Sequence, residues 1–319
     1  MNKINVLITG AGGQLAKCLV DVLNKYIDKI EYTALSRQEL SITDKEKINF
    51  YLSEKEYDYL INCAAFTDVA GAETNEEGSL LGNGYGPKIL SECCLKNNVK
   101  LIHISTDYVF GGSVLPMNED SDTLNPLNRY GKTKLLGERE ILDTATKKEY
   151  TGNELQYMII RTSWLYSEYG NNFVKTILRK AKQHSDMNVV FDQVGSPTYA
   201  GDLASFIVEH VILSEIKFIS GIYHFSNYGS ISWYDFANAI CEIYNDVIVR
   251  HRGESCKVNY TINPITTDSL GAGVNRPRVV MLSKEKIVNT YNANIPYWRD
   301  SLKNVIEKLV IYGNEEFNL

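Results

Sequence analysis

The feature that most constrains this 319-residue chain is how it begins. Residues 3–9 form a β-rich apolar run, and Gly10-Ala-Gly-Gly13 follows at once. Residues 14–26 then carry Leu15, Leu19, Val22 and Leu23, the spacing of one helix face. Strand, glycine turn and helix is the arrangement that binds a dinucleotide. Glycines such as Gly10 and Gly13 let the backbone approach a pyrophosphate, and the helix start offers it unpaired N–H groups. The spacing is Gly10-x-x-Gly13-x-x-Ala16 rather than G-x-G-x-x-G. Many strand–helix turns carry glycine for geometry alone, so the turn by itself leaves cradle and plain turn both open.

The alternation continues. Residues 30–35, 59–65, 101–105 and 156–162 read as buried strands. Residues 44–55, 76–97 and 129–142 read as the helices between them, with Gly82, Gly84, Gly86 and Pro87 breaking the first half of the second. Such a pattern predicts an α/β fold, a Rossmann-like, doubly wound parallel sheet. Ligands in such sheets bind beyond the carboxyl ends of the strands, where Gly10, Ala64, Ser105-Thr106 and Thr162 fall. The pattern then loosens into helices at 172–183, 199–213 and 233–244 and short strands at 188–191, 221–225 and 257–262. The expected division is an NAD(P)-binding domain over residues 1–165, with later segments returning to it. A smaller, partly interleaved C-terminal substrate domain covers most of 166–319.

Composition narrows the function. A net charge of −6 argues against a surface that coats nucleic acid, though it leaves room for a basic pocket. No apolar run approaches the roughly 20 residues that span a bilayer. The N-terminus enters a strand pattern at once, which leaves no room for a signal peptide. The expected location is cytoplasmic. Six cysteines without a CxxC pair read as free thiols in a reducing compartment. No histidine or cysteine spacing suggests a metal site, and His103, inside a strand, reads as a core histidine.

Tyr130-Gly-Lys-Thr-Lys134 carries the chemistry. A tyrosine and a lysine four residues apart lie on one helix face, and a nearby ammonium lowers a phenol's pKa. Tyr130 is therefore a candidate to pass a proton to or from a substrate oxygen. Tyr51-Leu-Ser-Glu-Lys55 has the same spacing, so context decides. Tyr130 follows a strand that ends in the hydroxyl pair Ser105-Thr106, whereas Tyr51 has no such setting and is expected to pack against the sheet. The second strand ends in Ser36-Arg37 with no acid for a ribose hydroxyl. Arg37 either meets a 2′-phosphate, which favours NADPH over NADH, or is a solvated surface arginine.

Six segments then resemble the dTDP-4-dehydrorhamnose reductase family of the extended short-chain dehydrogenases/reductases. They are Ser105-Thr-Asp-Tyr-Val-Phe110, Asn125-Pro-Leu-Asn-Arg-Tyr-Gly-Lys-Thr-Lys-Leu-Leu-Gly-Glu138, Arg161-Thr-Ser-Trp-Leu-Tyr166, Gly170-Asn-Asn-Phe-Val174, Asp192-Gln-Val-Gly-Ser-Pro-Thr198 and Ser232-Trp-Tyr-Asp-Phe236. The resemblance implies NAD(P)H-dependent reduction of the C4 ketone of a dTDP-4-keto-6-deoxy sugar for polysaccharide synthesis, by a monomer or homodimer. It implies that Tyr130 protonates the C4 oxygen, that Lys134 tunes the phenol and binds the nicotinamide ribose, and that Thr106 bonds the substrate oxygen. Asp107 and Trp164 would line the sugar site, and Arg276 would approach the diphosphate. Gly13, Gln14 and Leu15 would cradle the pyrophosphate, with Ala64, Ala65, Phe66 and Thr67 along the cofactor. Asp107 as a turn cap, Trp164 as a core aromatic and Arg276 as a surface turn residue are the bland alternatives.

The chain departs from the family pattern at Ser36, Ser41, Ala70-Gly71, Gly82-Asn-Gly84, Gly271-Ala-Gly-Val-Asn275 and Cys18. Cys18 replaces an acid through which some members join a metal-bridged dimer. Two other activities share the fold. A sugar-nucleotide 4,6-dehydratase needs an acid after Thr106-Asp107, where Tyr108 stands, and a 4-epimerase must hold its NAD tightly. A non-catalytic dinucleotide-binding regulatory relative is the third reading.

Overall fold

The computed structural model describes residues 3–112, 116–119, 124–147, 154–270 and 273–312, so Gly271 and Ala272 lie outside the described residues. The first half runs β1 (Ile4–Thr9), α1 (Gln14–Leu23), β2 (Ile30–Leu35), α2 (Lys45–Glu54), β3 (Tyr59–Asn62), α3 (Val69–Thr74), α4 (Glu76–Leu80), α5 (Gly86–Asn97), β4 (Lys100–Thr106), α6 (Arg129–Thr146) and β5 (Tyr157–Thr162). The second runs β6 (Leu165–Tyr166), α7 (Phe173–Lys182), β7 (Asp186–Val190), β8 (Val194–Gly195), β9 (Thr198–Tyr199), α8 (Ala200–Ser205), β10 (Gly221–His224), β11 (Ile231–Ser232), α9 (Trp233–Arg252), β12 (Thr261–Ile265), α10 (Glu285–Tyr291) and α11 (Trp298–Tyr312).

The main sheet has the order β10-β5-β4-β3-β1-β2 and every pairing is parallel. The chain moves outward from β1 to β2 and then returns to the far side of β1 as β3. That reversal opens a crevice at the carboxyl ends of β1 and β3, where such sheets bind ligands. Apolar residues cover both faces, as a parallel sheet requires. Leu15, Cys18, Leu19 and Val22 of α1 join Ile207, Phe225 and Tyr291 on one face. Leu52 of α2 and Leu90 and Cys94 of α5 cover the other, and Tyr51 packs at its margin. A third core, formed by α7, α9 and α11, stands apart from the sheet. All six cysteines are free.

Two helices contain wide turns. Residues 76–97 stay helical through the glycines, passing from α4 through a π-helical segment, Leu81–Tyr85, into α5. The glycines serve close approach rather than a break: a Cβ on Gly84 would stand 2.8 Å from Leu136 of α6, and one on Gly137 would collide with the Asn83 carbonyl oxygen. Residues 206–212 likewise form a π segment after α8. The helix begun at Trp233 runs on to Arg252, and the strand expected at 257–262 lies at Thr261–Ile265, where β7 pairs with it.

Candidate functional site

A cleft of about 1310 Å³ runs along the carboxyl ends of the central strands. Its walls include Gly13, Gln14, Leu15, Ala65, Thr67, Thr106, Asp107, Tyr130, Lys134, Trp164 and Arg276. Four of the expected residues stand back from it. Gly10 lies behind the turn at φ +74°, and a Cβ there would be 2.7 Å from the Ala64 nitrogen. Ala64 backs the turn from β3, and its N–H bonds to Asn62 Oδ1. Phe66 is held by Asn83, whose side chain accepts its N–H and donates to its carbonyl. Arg37 is exposed at the end of β2.

The turn end of the cleft has an anion-binding character. Gly13 caps α1 with no side-chain hydrogen bond and no acid follows in the first turn. The first N–H groups of this helix are therefore open to a ligand. The Gln14 side chain accepts from Ser167 and Asn172, so Gln14 presents its backbone. Further along, the buried Thr162 hydroxyl lines the cleft with no hydrogen-bond partner among the described residues. A glycine cradle, an uncapped helix start and an orphaned hydroxyl fit a dinucleotide.

The helix bearing Tyr130 and Lys134 is placed by its first turn. Asn128 caps α6 by accepting from Gly131 N at 2.8 Å, and its amide donates to the Asn275 carbonyl. The glycine after Tyr130 is steric in origin, because a Cβ on Gly131 would meet the Tyr108 carbonyl oxygen. The Tyr108 ring packs edge-on against Tyr130 at 5.7 Å. Burial raises the Tyr130 phenol pKa well above its ordinary value, against a hydrogen bond from Thr106 that lowers it. The acidification expected from Lys134 is not found. Lys134 Nζ instead donates to the Ile104 carbonyl at 2.6 Å and faces His103 Nε2 at 3.4 Å. Burial pulls the Lys134 pKa down to about 8, with Glu138 acting the other way.

His103 is buried, as its strand setting implied, but its partners reach the site. Asn62 Oδ1 accepts from Thr9 Oγ1 and Ala64 N, which leaves its Nδ2 to donate to His103 Nδ1 at 2.9 Å. Beneath α6, Arg161 and Glu138 form a fully buried ion pair at 2.7 Å, and Ser105 donates to the same carboxylate. This pair ties α6 to β4 and β5 one turn beyond Lys134.

Asp107 is buried beside Thr106 and accepts its hydroxyl at 3.1 Å. Burial lifts its carboxyl to about 7, although Thr106 and the backbone N–H groups of Asp107 and Tyr108 stabilise the charged form. Trp164 has a left-handed backbone, φ +46°, and stacks on Trp233 at 3.5 Å and 8°. Arg276 lies near enough to Tyr108 to lower that phenol against its burial. Ser163, Phe173, Lys180, Asn188, Gln193, Trp233 and Arg278 also line the cleft. None was singled out as a site residue. Ser163, Phe173, Gln193 and Trp233 nonetheless fall inside the segments that carried the resemblance.

Sheet, glycine cradle and the Thr106–Tyr130–Lys134 group define a dinucleotide-binding reductase of the short-chain dehydrogenase type. A family model described as the RmlD substrate binding domain matches residues 4–311. A dTDP-4-dehydrorhamnose reductase of Aggregatibacter actinomycetemcomitans is 37% identical over 306 residues, covering 94% of this chain and 97% of that one. A dTDP-4-keto-6-deoxy-D-glucose reductase of Streptomyces niveus is 31% identical, covering 93% and 94%. The crystal structure of a Bacillus anthracis dTDP-4-dehydrorhamnose reductase in complex with NADP matches with a TM-score of 0.82 at 32% identity, covering 95% of this chain and 99% of that one. The chain belongs to the dTDP-4-dehydrorhamnose reductase family.

Proposed function

We infer that this protein uses NADPH to reduce the C4 ketone of a dTDP-4-keto-6-deoxy sugar, dTDP-4-dehydrorhamnose or a close analogue, for polysaccharide synthesis. The observation that carries the reading is one cleft holding an uncapped helix start at Gly13 and, further along, Thr106, Tyr130 and Lys134. When bound, the reduced nicotinamide supplies the hydride.

The chain's own residues do the rest. Gly13, Gln14 and Leu15 receive the pyrophosphate through backbone N–H groups. Gly10 and Ala64 shape that cradle from behind, while Ala65 and Thr67 flank the cofactor and Asn83 holds Phe66 between them. Arg37, exposed beyond the end of β2, would meet a 2′-phosphate. Lys134, fixed by Ile104, offers its remaining hydrogens to a ribose. Hydride arrival turns the ketone oxygen into an alkoxide, so an acid must stand beside it. Tyr130, held protonated by burial, carries that proton at neutral pH. Thr106 steadies the charge developing on the oxygen. Asp107 and Trp164 border the sugar, and Arg276 faces the diphosphate.

The region around α7, α9 and α11 serves as the substrate half. A cytoplasmic location belongs to the same proposal. Among the described residues no helix is long and apolar enough to cross a membrane. Incubation with dTDP-4-keto-6-deoxy sugars and NADPH or NADH, with the product identified by NMR, tests the reading. A C4 alcohol formed faster with NADPH supports it, and absence of turnover across the panel overturns it.

A further inference from the structure

Two donors fix the orientation of the Asn62 side chain. The Ala64 backbone N–H meets its Oδ1 at 3.1 Å, and the Thr9 hydroxyl meets the same atom at 2.7 Å. A backbone N–H can only donate, so the atom it faces is the amide oxygen. The amide nitrogen is therefore the atom turned to His103, with Nδ2 standing 2.9 Å from Nδ1. That nitrogen donates and does not accept, so Nδ1 carries no proton. A neutral imidazole bears one hydrogen, which leaves it on Nε2. Thr9, Asn62 and His103 are all buried. His103 Nε2 in turn faces the Lys134 amine at 3.4 Å, while the Ile104 carbonyl holds that amine at 2.6 Å. An ammonium has three hydrogens and no lone pair, so a ring N–H cannot take one of them. Among the described residues, Lys134 then spends a single hydrogen, on Ile104.

We propose that Asn62 and His103 are positioning residues for the cofactor: Asn62 holds the imidazole with its hydrogen on Nε2, which denies Lys134 a second acceptor in the protein and leaves its other hydrogens for the nicotinamide ribose. This rests on Lys134 serving that ribose. Neither Asn62 nor His103 lines the cleft, so both act through the amine. In the opposite tautomer Nε2 would be bare and would draw a second hydrogen of Lys134 down into the sheet. The distances agree with the first arrangement, since the amine lies close to the carbonyl and stands off from the ring. Burial, and after it the Lys134 charge, holds the His103 pKa well below its ordinary value, so the ring stays neutral and only the place of its hydrogen matters. The charged groups set around the ring are Lys134 and, one turn further along α6, Glu138, which acts on Lys134.

The test has two arms. Nitrogen NMR of protein labelled at its histidines reads the tautomer, with His103 assigned as the resonance pair missing from His103→Gln. The wild type should show a bare Nδ1 and a protonated Nε2 from about pH 5.5 to 7.5, across the range where a free imidazole titrates. A proton on Nδ1, alone or in an imidazolium, overturns the proposal. The second arm is a fluorescence titration with NADPH. Asn62→Asp keeps the acceptor for Thr9 and Ala64 but turns the donor facing His103 into an acceptor, which moves the ring hydrogen to Nδ1. NADPH should bind about tenfold more weakly, the worth of one hydrogen bond to a charged group. Placed in Lys134→Met, the same substitution should change the affinity less than about twofold, because its effect passes through the amine. A tenfold loss that persists without Lys134 overturns the proposal. Should circular dichroism find Asn62→Asp unfolded, Asn62→Ala removes the same donor, and unweakened NADPH binding there is the contrary result. Weakened binding in Lys134→Met beside unweakened binding in Asn62→Asp sinks this inference alone, whereas unweakened binding in Lys134→Met sinks the assignment of Lys134 to the ribose as well.

Discussion

Lys134 Nζ donates to the Ile104 carbonyl oxygen at 2.6 Å, so the ammonium is held by the strand that ends at Thr106 and not by the phenol one helical turn before it. The bond fixes the amine at the floor of the cleft, where it can serve a cofactor ribose. Lys134→Met should lower kcat/KM for NADPH by about a hundredfold, the scale of a lost proton-transfer or positioning group. Burial brings the lysine to about 8, so it is charged below that pH and neutral above it. The wild-type kcat/KM for NADPH should therefore decline as pH rises through about 8, and the decline should be missing from Lys134→Met. A steady-state pH profile of both proteins checks this.

Both side chains of the Arg161–Glu138 pair are buried, at 0% and 1% exposure. Removing one member leaves the other buried and unpaired, which costs about 3–5 kcal/mol. Arg161→Leu should lose that much in urea unfolding. The double substitution Glu138→Leu/Arg161→Leu should lose less than Arg161→Leu alone, because no charge is stranded. Equal losses would mean that the pair acts by packing.

Gly10 combines a left-handed backbone with contact to Ala64. Gly10→Ala should cost about 1–3 kcal/mol from backbone strain alone and weaken NADPH binding by deforming the turn that backs Gly13. Thermal unfolding and a fluorescence titration with NADPH read the two effects separately.

Arg37 is exposed just beyond the end of β2, and the proposed reading has it meet the 2′-phosphate of the adenosine ribose. Arg37→Ala should weaken NADPH about tenfold and leave NADH unchanged, since only the former carries the extra phosphate. Comparable losses for both cofactors would return Arg37 to the status of a surface arginine.

The strands of the main sheet were legible because β-branched and apolar runs bounded by glycine, serine or threonine have few other uses. Residues 30–35 and the strand ends at Ser105-Thr106 and Thr162 fell where the sequence put them. The helix carrying Tyr130 was legible from its motif, and its cap at Asn128 stood just ahead of it. The glycines at 82, 84 and 86 misled, since a sequence cannot tell a glycine that breaks a helix from one that admits a neighbouring helix. The pairs β6–β9 and β11–β8 span two residues each and exist through tertiary contact. Helices α10 and α11 were not read at all. Within the site, the pairing of Glu138 with Arg161 was not read, because it joins a helix residue to a strand residue 23 positions away. The direction of the Tyr130 shift was missed for a related reason: spacing places a lysine on the same helix face, but burial and the pull of the Ile104 carbonyl decide what that lysine does.

The most direct measurement is turnover of dTDP-4-dehydrorhamnose with NADPH by the wild-type protein and by Tyr130→Phe, with hydride transfer followed by absorbance and the sugar by NMR. The account predicts a C4 alcohol from the wild type and a loss of at least about a hundredfold in kcat for Tyr130→Phe, with NADPH binding retained. A Tyr130→Phe protein that reduces the ketone at the wild-type rate would contradict it.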